Sequence, residues 1–152
     1  FITNRRNSSG KVSTIEAPEV SLFEIELYDN TGKLRKLSEV AADNKVVLLS
    51  FTVYGAEPSP AYNVELNKVY DRYSKNGLEI YQVGLDEDEY RWKQSARNLP
   101  WITVYNSASD GVKNLDNYNV VSLPTTYVIV NGEIAGRVLD PAQVGQEVGK
   151  YM

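Results

Sequence analysis

Lys45 opens an uninterrupted run, Val46-Val47-Leu48-Leu49-Ser50-Phe51, short and rich in β-branched residues. Such a run reads as a central strand buried on both faces, because a half-exposed strand would alternate with polar residues. A strand of that kind needs a layer of structure on each side. The chain is therefore expected to be an α/β protein, a mixed sheet with helices on both faces. Its 152 residues suffice for one such domain and its core, and not comfortably for two.

The flanking segments fill in the layers. Residues 1–16 are polar and aperiodic, with Arg5-Arg6 and Asn7-Ser8-Ser9-Gly10, and read as a flexible tail or linker ahead of a domain spanning 17–152. Leu22, Phe23, Ile25 and Leu27 with the turn residues Asp29-Asn30-Thr31-Gly32 suggest a strand and hairpin. From about Ala56 to Tyr73 the period changes: Tyr62, Leu66, Val69, Tyr70 and Tyr73 fall on one face of a helix, with Pro58 and Pro60 admissible in its first turn. Leu78–Gly84 alternates like a strand. Asp86–Glu89 opens a second helix carrying Trp92, Ala96 and Leu99, closed by Pro100. Ile102–Tyr105 reads as a short strand and Leu115–Tyr118 as a short helical piece. Thr125–Val130 and Glu133–Val138 flank Asn131-Gly132, a strong hairpin signal. Asp140-Pro141-Ala142-Gln143 is a helix start, continued by Val144, Val148 and Tyr151.

Composition removes much of the available chemistry. The chain has no cysteine and no histidine. Disulfides, Cys or His metal sites, Cys–His nucleophiles and Ser–His–Asp triads are excluded together. Sixteen Lys and Arg against twenty Asp and Glu give a net charge of −4, which argues against a nucleic-acid partner. No apolar run reaches the length of a membrane span. The 42% hydrophobic and 24% charged content is that of an ordinary soluble globular protein.

The ordered set Ala17-Pro18, Asp29-Asn-Thr-Gly32-Lys33, Leu37-Ser38, Lys45–Phe51 and Tyr118-Asn-Val-Val-Ser-Leu-Pro124-Thr-Thr-Tyr-Val-Ile-Val130-Asn-Gly132 resembles the thioredoxin fold. More closely it is similar to the extracytoplasmic thiol–disulfide oxidoreductases of the TlpA/ResA type, in the wider AhpC/TSA superfamily. The resemblance implies a three-layer α/β/α sandwich around a central mixed sheet. It also implies a Trp-Cys-x-x-Cys just after the central strand. Aligned from Phe51, the Trp falls on Gly55, the attacking Cys on Ala56, the intervening pair on Glu57-Pro58 and the resolving Cys on Ser59. The motif works because a thiol at a helix N-terminus has its thiolate stabilised by the dipole and free N–H groups. Ala56 removes that nucleophile, and Ser59 cannot replace it without a base. The positions where relatives keep a buried acid, six residues before and six after the first Cys, hold Ser50 and Tyr62.

Together these departures describe a lineage that abandoned the chemistry: a redox-inactive domain that binds or scaffolds, with no catalytic residue and no cofactor. The alternative is a thiol–disulfide oxidoreductase whose cysteines were lost or mutated; an enzyme using carboxylates or Tyr finds no constellation. Pro124, in Ser122-Leu123-Pro124-Thr125, occupies the place of the family's cis-proline, which offers backbone to an extended substrate. A retained binding groove would thus use Tyr54, Glu57, Ser59, Ser122, Leu123, Pro124 and Thr125, and its partner would be an extended peptide or protein segment. Tyr54 would add an aromatic contact and Glu57 would disfavour acidic ligands. By the same resemblance the protein is expected in the cell envelope or periplasm, as part of a longer chain with an upstream domain or export signal.

Other features have plainer readings. Asp86–Glu89 lacks the spacing of a calcium loop and reads as a solvated helix start. Helical spacing makes Trp92 core before it is a ligand wall shared with Trp101. Ala56–Ser59 could be no more than a helix start with two tolerated prolines, and Asn7-Ser8-Ser9 matches a glycosylation sequon at chance frequency.

Overall fold

The computed structural model describes residues 22–56, 59–120, 122–138 and 140–152. The polar tail, Ala17-Pro18, Glu57-Pro58 and the side chain of Ser59 lie outside these. The chain opens with a small antiparallel hairpin, β1 (Glu26–Tyr28) and β2 (Leu34–Lys36), followed directly by helix α1 (Leu37–Asp43). The apolar run then forms β3 (Val46–Thr52), every residue of which is buried. Helix α2 (Ser59–Tyr73), strand β4 (Leu78–Gly84), helix α3 (Glu89–Ala96), strand β5 (Ile102–Tyr105) and helix α4 (Val112–Asn117) follow. The hairpin of β6 (Thr125–Val130) and β7 (Glu133–Val138) turns at Asn131 and Gly132, both at positive φ, and helix α5 (Val144–Gly149) ends the fold. The main sheet runs β5-β4-β3-β6-β7, with β3, β4 and β5 parallel and β6 and β7 antiparallel: a thioredoxin-like three-layer α/β/α arrangement.

The period-2 geometry of the strands sorts the core into two layers. Val47, Leu49 and Phe51 point to one side with Ile25, Leu37, Val40, Tyr118 and Tyr127. Val46 and Leu48 point to the other, against Tyr62, Leu66 and Val69 of α2 and Val144 and Val148 of α5. Burying a side chain such as Leu66 is worth roughly 1.5–3 kcal/mol, and it fixes α2 across the sheet with its N-terminus above the end of β3.

Helix α2 is described from Ser59, and Ala56 lies in the turn ahead of it, its N–H donating to the Val53 carbonyl at 3.2 Å. One local reading needs correction. Helix α3 begins at Glu89, not Asp86, because the Asp88 side chain caps it by accepting from the N–H groups of Tyr90 and Arg91. Among the described residues no helix is long and apolar enough to cross a membrane.

Candidate functional site

The site is built at the C-terminal end of β3, where the sheet changes character. On the α2 side, β3 presents Val46, Leu48 and then Ser50, and β4 presents Leu78, Ile80 and then Gln82. In the antiparallel neighbour, Ser50 pairs with Thr126. Thr103 of β5 pairs with Gln82. A polar row, Thr103-Gln82-Ser50-Thr126, therefore crosses four strands at one level, and all four residues are buried. It lies beneath the first turn of α2.

Buried polar groups must find partners or cost free energy. Here they find one another. Gln82 Oε1 accepts from the Tyr54 hydroxyl at 2.7 Å and from Trp101 Nε1 at 3.0 Å. Gln82 Nε2 donates to Asn63 Oδ1 at 2.8 Å and to Ser50 Oγ at 3.3 Å. The Tyr62 hydroxyl donates to Thr126 Oγ1, tying α2 to β6. Every member of this network is uncharged. Burial, with the Asp86 charge second, pushes the Tyr54 hydroxyl far above its ordinary titration range; burial does the same to Tyr62, against the lowering effect of its bond to Thr126. None of these groups exchanges a proton near neutral pH.

The turn itself is fixed from below by a carboxylate. Asp86 Oδ1 accepts from the Tyr54 N–H at 2.9 Å and Oδ2 from the Gly55 N–H at 3.1 Å, bonds strengthened by the charge. Asp86 is 7% exposed, so the expected solvated helix start holds for Glu87, Asp88 and Glu89, which are exposed, and not for Asp86. Tyr54 is likewise turned inward. It packs with Trp92 and Ala96 and is 8% exposed, so its ring is core rather than a contact offered at the rim. Trp92 is core, 2% exposed, and fits because Gly84 lies under it: a Cβ there would sit 2.2 Å from Trp92 Cδ1.

Gly55 and Ala56 are exposed at the rim. On the β6 side Ser122 and Leu123 are exposed, the Leu123–Pro124 peptide bond is cis, and Pro124 and Thr125 are buried. Thr125 Oγ1 donates to the Ser122 carbonyl at 2.5 Å and closes this loop. The structure thus brings Gly55, Ala56 and the polar row under one helix start, while Glu57, Pro58 and the Ser59 side chain lie outside the described residues. Gln82 and Asp86 were not anticipated as parts of the site. The signal for Gln82 was present: it continues the buried face of Leu78 and Ile80, as Ser50 continues that of Val46 and Leu48. Among the described residues no group of three or more carboxylates could hold a metal ion.

A five-stranded mixed sheet with the β3–turn–α2 unit facing a cis-proline loop defines a thioredoxin-like protein. The family profile described as Thioredoxin-like matches residues 44–134, and the chain belongs to that family, without its Cys-x-x-Cys. Among solved structures, an uncharacterized thioredoxin-like protein from Bacteroides vulgatus is 34% identical, with a TM-score of 0.70 over 86% of this chain and 90% of that one. The thioredoxin domain of a thiol-disulfide oxidoreductase from Bacteroides vulgatus is 25% identical, with a TM-score of 0.76 over 93% and 99% of the two chains. A thiol:disulfide interchange protein from a Bacteroides species, 24% identical with a TM-score of 0.77 over 87% and 88%, shares the fold. No curated protein matches the chain.

Proposed function

We propose that this is a redox-inactive thioredoxin-like domain of a cell-envelope protein, and that it binds an extended segment of a partner protein. The binding groove would lie between the Tyr54–Ser59 turn and the Ser122–Thr125 loop. One observation carries the reading: the space beneath the turn, where a working site needs a proton carrier, is filled by the uncharged Gln82 network. The Asp86 carboxylate, beside the turn, is engaged with backbone N–H groups. Above this base the rim residues Gly55, Ala56, Ser122 and Leu123 stay exposed, and loop backbone of this kind can pair with an extended peptide. Pro124 shapes the loop, and Glu57 and Ser59, expected from the sequence to complete the groove, lie outside the described residues. The cell-envelope assignment and the Tlp-type relationship rest on the sequence resemblance.

The competing reading, an oxidoreductase with lost cysteines, is favoured by the names of the relatives. Reading the native gene for Cys at codons 56 and 59 separates the two. The binding reading is tested with photo-reactive residues placed at Ala56, at Leu123 and, on α5, at the exposed Gln146. Partner adducts are expected from the first two positions. Adducts from Gln146 alone would overturn the groove.

A further inference from the structure

The surface around the groove divides sharply by chemistry. On one side the outward face of α2 continues the uncharged rim of Gly55 and Ala56. Pro60, Ala61 and Val64 are exposed there, Val64 at 55%, and their i, i+1 and i+4 spacing puts them on one side of the helix. Leu123, 38% exposed, comes three residues before the Thr126 that Tyr62 holds.

On the other side stands an acidic ridge. It starts at Asp86, bonded to the Gly55 N–H, and runs through exposed Glu87, Asp88 and Glu89. Glu87 accepts from both the N–H and the hydroxyl of Ser109 at 3.0 Å, which brings the exposed Asp110 alongside. The convergence of these charges is felt at Tyr105, whose hydroxyl donates to the Glu87 carbonyl at 3.1 Å. Its proton is held more tightly than usual, by burial first and then by Glu89, Glu87, Asp110 and Asp86. Arg91, 3.7 Å from Asp88, offsets part of the ridge.

An apolar flank bordered by a predominantly acidic ridge selects by charge as well as by shape: like charges are repelled and opposite charges held in register. Given the groove reading above, on which this rests, we propose that the partner segment is apolar and basic. Its apolar side chain covers Ala56, Val64 and Leu123, and a neighbouring Lys or Arg lies on the ridge of Glu87, Glu89 and Asp110.

The test uses the isotope-labelled chain and three extended peptides that share one Leu- and Val-containing frame and carry Lys, Gln or Glu at the same positions. The Lys peptide is expected to shift the amides of Gly55, Ala56, Ala61, Val64 and Leu123. It should bind about tenfold more tightly than the Glu peptide, since several exposed pairs of modest strength add to roughly that factor. The preference should shrink as ionic strength rises from about 0.05 to about 0.5 M, where screening shortens the reach of surface charge. It should also shrink in the double variant Glu89→Gln, Asp110→Asn. Equal affinities at those same amides, or a preference for Glu, would overturn the charge selection and leave the groove standing. Shifts confined to other faces, or no binding by any of the three, would overturn the groove and this inference together.

Discussion

The Tyr54 hydroxyl donates to Gln82 Oε1 at 2.7 Å, across a sequence separation of 28. Through that bond the turn at the head of α2 is tied to β4, and Gln82 in turn reaches Asn63 of α2 and Trp101. Removing Gln82 leaves two buried donors, Tyr54 and Trp101, without this acceptor and takes a donor from Asn63 and Ser50, whereas removing the Tyr54 hydroxyl leaves Gln82 with Trp101 still donating to it. Each buried polar group left unsatisfied costs about 1–3 kcal/mol. Gln82→Ala is therefore expected to destabilise the fold by about 3 kcal/mol or more, and Tyr54→Phe by about 1 kcal/mol, measured by urea unfolding. Equal small losses in the two variants would show that the network contributes little.

Gly84 and Trp92 make the second prediction. A Cβ on Gly84 would lie 2.2 Å from Trp92 Cδ1 and 3.3 Å from Tyr54 Cε2, so the indole must move. Overpacking of this kind typically costs about 1–3 kcal/mol. Gly84→Ala should lower stability by that amount and change the tryptophan fluorescence, while Gly136→Ala, where the nearest atom is 3.9 Å away, should change neither.

How much of this was legible in the sequence follows from the range of the contacts involved. Val46–Phe51, the Tyr62-Leu66-Val69 face and the Asn131-Gly132 hairpin are local patterns, and each forms the expected element. Helix α1 was not anticipated: it is seven residues long, and its N-cap, Lys36, makes no side-chain cap bond. Strand β2, three residues long, has no periodicity of its own and was legible only through the hairpin turn at Asp29–Gly32. Asp86 was misread because acidic residues at a helix start look alike in sequence. Only the fold brings Asp86 against a turn more than thirty residues away.

A third prediction concerns Asp29, which organises the β1–β2 turn. Its carboxylate accepts from the Thr31 N–H at 2.8 Å, the Thr31 hydroxyl at 2.6 Å and the Lys33 N–H at 3.0 Å, and pairs with Arg35 Nε at 2.8 Å. Burial alone would raise its pKa, but these bonds outweigh it and hold the group at about 2, below its ordinary 3.8. A depressed carboxylate stabilises the fold above its unfolded pKa, and the contribution fades as pH falls through the folded one. Asp29→Asn should thus cost roughly 2 kcal/mol at neutral pH, and the gap to the parent should close between about pH 4 and pH 2. A gap that stays constant over that range would refute the assignment.

The last prediction asks whether the family's chemistry can be built into this chain. Substituting Ala56→Cys and Ser59→Cys places two thiols at the spacing of the family's motif, where the Cα separation suits a disulfide. The double variant is expected to oxidise in air to an intramolecular disulfide, seen as the loss of two titratable thiols. It should nevertheless reduce insulin slowly. The polar row beneath it holds Ser50, Gln82 and Thr126 and no acid, Tyr62 is committed to Thr126, and the Asp86 charge beside Gly55 opposes a thiolate. Adding Tyr62→Glu puts a carboxylic acid among those neutral groups, and Gly55→Trp restores a cover; among the described residues a Cβ at Gly55 meets Asp86 Oδ2, at 3.5 Å. A placed proton carrier is typically worth 10²–10⁴-fold. The quadruple variant should therefore exceed the double by roughly 10²-fold in insulin reduction under the same conditions. A double variant already as fast as an ordinary thioredoxin would show that the neutral network does not hold the site silent, and the case for long-abandoned chemistry would lose its support.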